Sequence, residues 1–241
     1  MKTKILMLTF LIGICIIATS CSLKAQQRIT SRTFDVPAFE AVESHSVANI
    51  HFVQGSSTSV RAEGNKELID QLNVDVKNGK LIIEMPKNAF KNTKSKNNKP
   101  DIFISSPVLN LIEMEGVGNL SFETTFNSPK LEIVFDGVGN LKAPDLNCEH
   151  IIIHSKRVGN IELGGKTNIL SVSSDGVGNI NTEKLIAQHA KINLNGVGNI
   201  SFYCTESMEV DLSGVGNAIY YGNPKNKNIS KGSVGKLKSG D

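Results

Sequence analysis

The sequence predicts an all-β protein, a β-helix or β-solenoid with coils of about 20 residues. Three observations predict it. A tetrapeptide recurs six times at even spacing, apolar residues alternate with polar ones on both sides of each copy, and many of these apolar residues are β-branched. A period near 20 residues is typical of stacked structural units, and alternation with a period of two is typical of strands.

The tetrapeptide is the most specific signal in the chain. It reads Gly-Val-Gly-Asn in five of its six copies, and its asparagines are 21, 20, 19, 20 and 18 residues apart. We interpret each copy as a corner between two strands, because glycine allows a positive φ or a close approach to the next coil. We expect the valine to point inward as a plug, and the asparagine amides to stack as a hydrogen-bonded ladder. The corner residues are Gly116, Gly118, Asn119, Gly137, Gly139, Asn140, Gly159, Asn160, Gly176, Gly178, Asn179, Gly196, Gly198, Asn199, Gly214, Gly216 and Asn217.

Apolar columns predict the strands on either side of the corners. The residue seven positions before the corner asparagine is β-branched in every copy, and an apolar residue follows the asparagine directly. The first set is Ile112, Ile133, Ile153, Val172, Ile192 and Val210. Parallel strands stack about 4.8 Å apart, so six coils would form a rod segment of about 29 Å. A meander of antiparallel hairpins is the structural alternative.

The third corner differs from the others in charge. Lys156 and Arg157 stand where the neighbouring copies have Asp-Gly. In a stacked helix, Lys156 would lie between Asp136 and Asp175 and relieve the repulsion between like charges, a gain of about 0–1 kcal/mol at an exposed site. A functional basic spot is the alternative.

Residues 1–20 have the pattern of an export signal, in which a basic start precedes an apolar run over 5–17 and small residues follow. The Ala-Thr-Ser-Cys sequence that ends at Cys21 resembles a bacterial lipobox, which predicts acylation of this cysteine and a lipid anchor. Ordinary cleavage after Ala25 is the alternative. Ser22 follows the cysteine, where aspartate would be associated with retention in the inner membrane, so an outer membrane or cell surface anchor is predicted. A periplasmic or secreted protein is the alternative. No second apolar run follows, so no transmembrane helix is predicted.

The remaining chain divides by its repeats. The predicted segments are a tether over 21–33 and one elongated β-helical domain over 34–239, with irregular N-terminal coils over 34–106, regular repeats over 107–221 and a closing coil over 222–239. Within the irregular part we expect strands over 48–53, 59–62 and 101–105, a short turn of helix within 66–72, an exposed basic loop over 87–100, and a hairpin over 74–84 with Asn78-Gly79 as its turn.

Two cysteines remain beyond the predicted lipidation site. An oxidising compartment invites a disulfide between Cys148 and Cys204. However, Cys148 lies eight residues past Asn140 and Cys204 lies five past Asn199, so stacked coils separate them by three steps, or about 14 Å. A disulfide needs Cα atoms within about 7 Å. We therefore predict two separate, shielded thiols.

Charge argues against nucleic acid as a partner. The whole chain has a net charge of +3, and the chain from Cys21 onward has 24 basic and 23 acidic residues, a net charge of +1. Aromatic residues make up only 5% of the chain, too few for a surface that stacks bases. The expected partners are the outer membrane, through the anchor, and a polysaccharide or protein ligand at the surface. The oligomeric state stays open.

The sequence contains no catalytic constellation, and we predict no catalytic residue, metal site or cofactor. His150 and His154 would be about 13 Å apart along a strand, and the motifs Gly-x-Ser-x-Gly and His-Glu-x-x-His do not occur. The main hypothesis is a non-catalytic exported protein that presents a surface for adhesion or assembly. The alternative is a carbohydrate-active β-helix enzyme or glycan-binding module, in which carboxylates such as Glu115, Glu132 or Asp211 would group in a cleft.

Several segments together resemble one family of bacterial proteins. They are Phe34-Asp35 with Phe39-Glu40-Ala41-Val42, the strand Ile50-His51-Phe52-Val53-Gln54-Gly55, the Gly-Val-Gly-Asn corners, and the tail Tyr220-Tyr221-Gly222-Asn223-Pro224. Over roughly residues 34–239 the chain resembles the putative auto-transporter adhesin head GIN domain family. The resemblance implies a β-helical domain of an exported protein, and it supplies no catalytic motif that could be transferred.

Overall fold

The computed structural model describes residues 29–91, 99–232 and 235–241. The export signal, Cys21 and Ala25 lie outside the described residues, so the lipidation and cleavage predictions stay predictions. The elements are β1 Ile29–Phe34, β2 Ala41–Ser46, β3 Asn49–Gln54, β4 Ser59–Asn65, α1 Lys66–Ile69, β5 Asn73–Lys77, β6 Lys80–Glu84, β7 Asp101–Ser106, β8 Leu111–Val117, β9 Leu120–Phe122, β10 Phe126–Ser155, β11 Val158–Ser174, β12 Ile180–Leu194, β13 Ile200–Leu212, β14 Ala218–Tyr221, β15 Asn226–Lys231 and β16 Leu237–Ser239.

The repeats form a parallel β-solenoid of about six turns, which confirms the predicted fold class. Strands β8, β10, β11, β12 and β13 pair in parallel, each with the next along the rod. The register aligns equivalent residues of successive repeats, so that Asn140 lies opposite Asn160 and Ile161 lies opposite Ile180. The parallel pairing excludes the antiparallel meander for this part of the chain.

The N-terminal part continues the rod in mixed orientation. Strands β2 and β3 pair in parallel with β8 and β9, which places one more coil before the first tetrapeptide. Strand β4 is antiparallel to β1 and β7, and β5 is antiparallel to β6. The predicted turn joins β5 to β6, with a φ of 53° at Asn78 and 74° at Gly79. Strand β1 begins at Ile29, inside the segment that we expected to be a tether.

The core is a set of apolar columns that run the length of the rod. The β-branched residues seven positions before the corner asparagines are at most 1% exposed. Where the N-terminal coils meet the repeats, Phe52, Phe122 and Phe126 pack with ring centroids 5.3 to 5.7 Å apart. Complete burial of one such side chain contributes about 1.5–3 kcal/mol, so each coil is stabilised by its contacts with its neighbours.

The prediction that the corner valines point inward is wrong. Their side chains are 37% to 54% exposed, and they form one row along the outside of the rod: Val117, Val138, Val158, Val177, Val197 and Val215. Strand alternation continues through the corner, so the two glycines take the inward positions and the valine and asparagine take the outward ones. The apolar character of valine suggested that these side chains point into the core. The period-two alternation of the strand, continued through the corner, places them on the outside, as observed.

The charge compensation at the third corner involves a different residue from the one expected. The guanidinium Nε of Arg157 lies 2.6 Å from a carboxylate oxygen of Asp136. Lys156 forms no ion pair with the residues that the structure describes, and Asp175 instead accepts a hydrogen bond from the amide of Asn195 at 3.1 Å. The prediction for Lys156 is therefore wrong: the cation that pairs with Asp136 is Arg157, which stands in the neighbouring column with Gly137 and Gly176.

The two described cysteines are free and buried, as predicted. The register places Cys148 opposite Thr167, Thr167 opposite Ala187, and Ala187 opposite Cys204. They therefore lie in one inward column, three coils apart, which is too far for a disulfide.

Candidate functional site

The tetrapeptides stack into one row along the rod, which we call the Asn corner. Their asparagine side chains form a ladder of hydrogen-bonded amides. The Nδ2 atoms of Asn160 and Asn199 donate to the Oδ1 atoms of Asn140 and Asn179, each at 3.1 Å. Each Oδ1 atom also accepts the backbone N–H of the next corner asparagine, as at Asn179 and Asn199. The ladder reaches beyond the six repeats, since Asn49 accepts from the N–H of Asn119 at 3.1 Å.

The glycines of the Asn corner allow the coils to approach closely. A Cβ atom at Gly178 would overlap the carbonyl oxygen of Gly159, and one at Gly198 would overlap the carbonyl oxygen of Gly178. The amides of this corner therefore bond to each other and to the backbone, and the glycines allow the close approach of the coils. The outward valine row beside them repeats one side chain from coil to coil, a uniform surface that offers little basis for recognition.

The opposite turn of each coil is irregular, and we call it the bulged corner (residues 144–149, 163–168, 183–188 and 203–206). All interruptions of the register between β10, β11, β12 and β13 lie at or beside these residues. Bulges redirect side chains and are frequent near binding sites. The bulged corner also differs in composition from coil to coil, which the Asn corner does not.

A groove of about 700 Å³ runs along the bulged corner over four coils. Side-chain amides line it in all four coils, with one cation, Lys166, and one carboxylate, Glu149. The amides are Asn127, Asn147, Asn168 and Gln188, and the remaining lining is Ser128, Pro129, Cys148, Thr167 and Ile186. Amides and hydroxyls that both donate and accept hydrogen bonds suit a ligand rich in hydroxyl or amide groups.

Cys148 in this groove is not a nucleophile. Burial raises the pKa of its thiol to about 11, and burial likewise raises the pKa of the Cys204 thiol. A thiol with a raised pKa stays protonated at neutral pH and reacts poorly. Both cysteines therefore serve as small apolar residues of the core.

A second groove, of about 520 Å³, lies at the C-terminal end of the same side. It is lined by His189, Ser207, Glu209, Lys225 and Asn226, among others, and the Nδ1 atom of His189 lies 2.7 Å from the hydroxyl of Ser207. Each groove has one carboxylate in its lining. Glycoside hydrolysis needs two carboxyl groups across the scissile bond, so neither groove provides the pair that the enzyme alternative requires.

The carboxylates named for that alternative lie elsewhere. Glu115 contacts His45 at 2.8 Å, and Glu132 pairs with Lys130 at 2.9 Å. Asp211 lies on β13, which pairs with β15, and it forms no ion pair within the part of the chain that the structure describes. The structure does not bring the three together.

Sequence reasoning missed a titratable network on the N-terminal coils. The imidazole of His45 lies between Glu43 at 2.6 Å and Glu115 at 2.8 Å, and Lys80 bridges Glu43 and Glu113 at 2.7 and 2.8 Å. The hydrogen bond to Glu43 is the main cause that raises the pKa of His45. The bond from Lys80 is the main cause that lowers the pKa of Glu43, and the bond to Glu113 raises that of Lys80.

A second histidine has a triad-like set of neighbours. The hydroxyl of Ser121 is 3.0 Å from Nδ1 of His51, and Asp101 is 3.2 Å from Nε2. However, Glu123 also contacts Nδ1, at 2.7 Å, and Ser121 donates to Glu123. The hydrogen bond from Ser121 is the main cause that lowers the pKa of Glu123, and the bond from His51 is the second. The ionised carboxylate of Glu123 therefore accepts hydrogen bonds from both the serine hydroxyl and the imidazole. This arrangement does not activate the serine.

The two carboxylates beside each histidine contact opposite nitrogens of its ring. They therefore do not converge on one point where a metal ion could bind. Across the described ranges, no three His, Cys, Asp or Glu side chains are placed to hold a metal ion. His150 and His154 lie in strand β10, as expected. In the same ranges, no helix has the length and apolar character to cross a membrane.

The existence of an irregular corner could have been inferred from one feature of the sequence. The repeat length varies from 18 to 21 residues while the Asn corner is constant, so the extra residues must be accommodated between corners. The register shifts show that the bulged corner accommodates them. Which side chains line the groove depends on how each bulge turns, and the spacing does not determine this.

The fold and these surfaces define a β-solenoid with a groove along its irregular side, in which side-chain amides stand among apolar surface. The chain belongs to the family described as "putative auto-transporter adhesin, head GIN domain", whose model matches residues 38–224. No curated protein matches it in sequence.

Solved structures show the same fold. The crystal structure of a putative adhesin from Bacteroides fragilis is 31% identical, covers 88% of this chain and 97% of that chain, and gives a TM-score of 0.83. The structure of a putative lipid binding protein from Parabacteroides distasonis is 19% identical, covers 90% of this chain and 98% of that chain, and has a TM-score of 0.65. The structure of a putative adhesin from the same organism is 18% identical, covers 89% of this chain and 98% of that chain, and has a TM-score of 0.62. The last two show the fold alone.

Proposed function

We propose that this protein is a non-catalytic adhesin, exported and held at the outer membrane or cell surface by a lipid on Cys21, whose ligand binds along the groove of the bulged corner. The groove carries the proposal, because it combines amides, hydroxyls and single charges that differ from coil to coil. Family membership and the putative adhesin from Bacteroides fragilis support the adhesive role. The lipobox-like sequence before Cys21 supports the anchor.

The lining of the groove favours a glycan over a flat protein surface as the ligand. Each of the four coils presents one amide, and Ile186 and Pro129 add apolar surface beside them. The four amides are Asn127, Asn147, Asn168 and Gln188. An extended sugar chain along the rod would meet a donor and an acceptor at each coil, with its C–H groups against the apolar residues. The adhesin would therefore act as a glycan-binding module, with the groove as its glycan site.

Glycan-array binding of the purified protein tests the groove. We expect the triple substitution Asn147→Ala, Asn168→Ala and Gln188→Ala to abolish binding to the glycans that the unaltered protein captures. The matched control is Ser173→Ala with Asn193→Ala, two outward strand residues that do not line the groove. Equal binding by the triple variant would remove the groove from the proposal, and hydrolysis of a captured glycan would replace the adhesin with an enzyme.

Labelling with a palmitate analogue in cells tests the anchor. We expect incorporation into the unaltered chain and none into Cys21→Ala, which should also leave the membrane fraction. Labelling that persists in Cys21→Ala, or a mature N-terminus at Gln26, would contradict the lipoprotein assignment.

A further inference from the structure

Charge is separated along the rod. Residues 29–211 contain 17 basic and 22 acidic residues, a net charge of −5, whereas residues 212–241 contain five lysines and one acidic residue, Asp241, a net charge of +4. The five are Lys225, Lys227, Lys231, Lys236 and Lys238. The near-zero total therefore hides a cationic end on an otherwise anionic rod, and local potential rather than net charge governs association with a charged surface.

The lysines belong to the last two levels of the rod. Strands β14 and β15 both stack on β13, and β16 stacks on β14, so Lys236 and Lys238 lie one level beyond Lys227 and Lys231. Among the described residues, no further strand is stacked on β15 or β16. Lys225 is paired with Glu206 at 2.9 Å. Lys231, Lys236 and Lys238 are exposed and form no ion pair with the described part of the chain.

The same end exposes apolar and aromatic groups between the cations. Ile229 is 42% exposed between Lys227 and Lys231, and Leu237 and Tyr221 are half-buried beside them. Lys227 lies over the ring of Tyr220, 4.9 Å from its centroid. Lysines around exposed apolar and tyrosine side chains are the composition that binds the interface of an anionic bilayer, where headgroup phosphates pair with cations and apolar groups enter the boundary.

The end lies far from the proposed anchor. Ten inter-strand steps separate β1 from β16, which is about 48 Å. The eight residues from Cys21 to Ile29 can span at most about 28 Å. A rod anchored at its N-terminus can therefore present its cationic end away from the membrane that holds it.

We propose that this C-terminal end, formed by Lys227, Ile229, Lys231, Lys236 and Lys238, docks on an anionic lipid surface through its headgroup phosphates. The inference rests on the proposed adhesin function and names a partner for the end of the rod that is separate from the groove. The docking is reversible and weakens as salt concentration rises, because its attraction is electrostatic.

Vesicle capture by the anchored, full-length lipoprotein tests it. The protein is inserted through its lipid into neutral phosphatidylcholine vesicles, which are then mixed with fluorescent vesicles that contain phosphatidylglycerol. We expect capture of the anionic vesicles, a loss of at least about tenfold when Lys227, Lys231, Lys236 and Lys238 are all replaced by Gln, and a similar loss at high salt. The control replaces Lys142, Lys156, Lys184 and Lys191 by Gln, which removes the same charge from the sides of the rod.

The outcomes separate this proposal from the function on which it rests. Failure of the protein to enter the first vesicles contradicts the lipid anchor, whereas insertion without capture overturns the cationic end. Equal loss in both quadruple variants, or equal capture of neutral vesicles, also overturns it. Capture of acidic polysaccharide beads but not of anionic vesicles assigns the end to a glycan instead. Circular dichroism and thermal melting establish that all variants are folded.

Discussion

At the scale of single residues, the Asn corner has room for backbone alone at the second glycine of each tetrapeptide. Carbonyl oxygens of one coil lie where a Cβ atom of the next would stand, as at Gly178 above Gly159. The glycines are required mainly for this close approach, and in part for positive φ. The corner asparagines, one position further along the chain, point outward and bond coil to coil.

Replacement of Gly178 by Val should destabilise the rod by about 3 kcal/mol or more, because the new Cβ forces the backbones of two coils apart and φ at this position is +154°. Urea unfolding measures the change. The control is Gly232→Ala, since nothing lies within 4 Å of a Cβ atom at that position. Equal midpoints for Gly178→Val and the unaltered protein would show that the corner does not require glycine.

His45 should make stability depend on pH. Glu43 and Glu115 raise its pKa above the ordinary 6.5, so the folded state binds the proton more tightly than the unfolded state. Its stabilising contribution is complete below pH 6.5 and is lost as pH rises through the folded pKa. We expect His45→Gln to lower the melting temperature at pH 5.5 and to have little effect at pH 8.5. The size stays below about 1 kcal/mol because the site is partly exposed. A larger effect at the higher pH would contradict the assignment.

The thiols of Cys148 and Cys204 should resist modification in the native protein. Burial raises both pKa values, that of Cys148 to about 11, so little thiolate forms at pH 8. We expect iodoacetamide to leave both residues unmodified until urea is added, and to label both after unfolding without any reductant. Peptide mass spectrometry distinguishes the two sites. A Cys148–Cys204 peptide pair in the unreduced protein would contradict the parallel register.

At the scale of elements, strand alternation determined more of the structure than residue type did. The period of the tetrapeptide predicted parallel coils, and Asn78-Gly79 predicted the hairpin between β5 and β6. The same alternation, counted through the corner, places the valines outside, yet their apolar character suggested the opposite. Alternation extends over many residues and is fixed by backbone geometry, whereas one exposed valine carries a small penalty that local packing can outweigh.

The bulged corner could not be predicted to the same depth. Its existence follows from the uneven repeat length, but the direction of Lys166 or Gln188 depends on the local turn of each bulge. The same limit applies to Lys156 and Arg157, where spacing located a cation and packing selected which one pairs with Asp136. The network around His45 joins residues 70 positions apart, such as Glu115, and only the stacking of β2 against β8 brings them together.

The asparagine ladder acts as an element in its own right. Removal of Asn179 takes away the Oδ1 atom that accepts both the backbone N–H and the Nδ2 of Asn199, each at 3.1 Å. We expect Asn179→Ala to lower the free energy of unfolding by about 1–2 kcal/mol, because two hydrogen bonds at the surface are replaced by bonds to water. Asn193→Ala, an outward residue outside the ladder, is the matched control for the chemical-denaturation measurement. An equal change in the free energy of unfolding for Asn179→Ala and Asn193→Ala would show that the ladder does not stabilise the rod.

At the scale of the whole molecule, the two ends of the rod share one feature. At each end, a cationic side chain stands in register with a buried apolar residue of the neighbouring strand. At the N-terminal end Arg32 lies opposite the buried Ala62, and its guanidinium donates to the carbonyl oxygens of Ile69 and Leu72 at 3.3 and 3.4 Å. At the C-terminal end the buried Met208 and Leu212 are followed by Lys227 and Lys231.

Such inward charges prevent an open sheet edge from adding another copy, since stacking would bury an unpaired ammonium. We expect Lys227→Met with Lys231→Leu to extend the apolar columns to the open edge and to double the mass relative to the unaltered protein, through a tail-to-tail contact between two copies of β15. Light scattering after size-exclusion chromatography measures the mass. The control, Lys236→Met with Lys238→Met, removes the same charge from outward positions at β16, which stacks on β14, and should leave the mass unchanged. A monomeric Lys227→Met, Lys231→Leu variant, at concentrations where the control is also monomeric, would show that the inward lysines do not limit assembly.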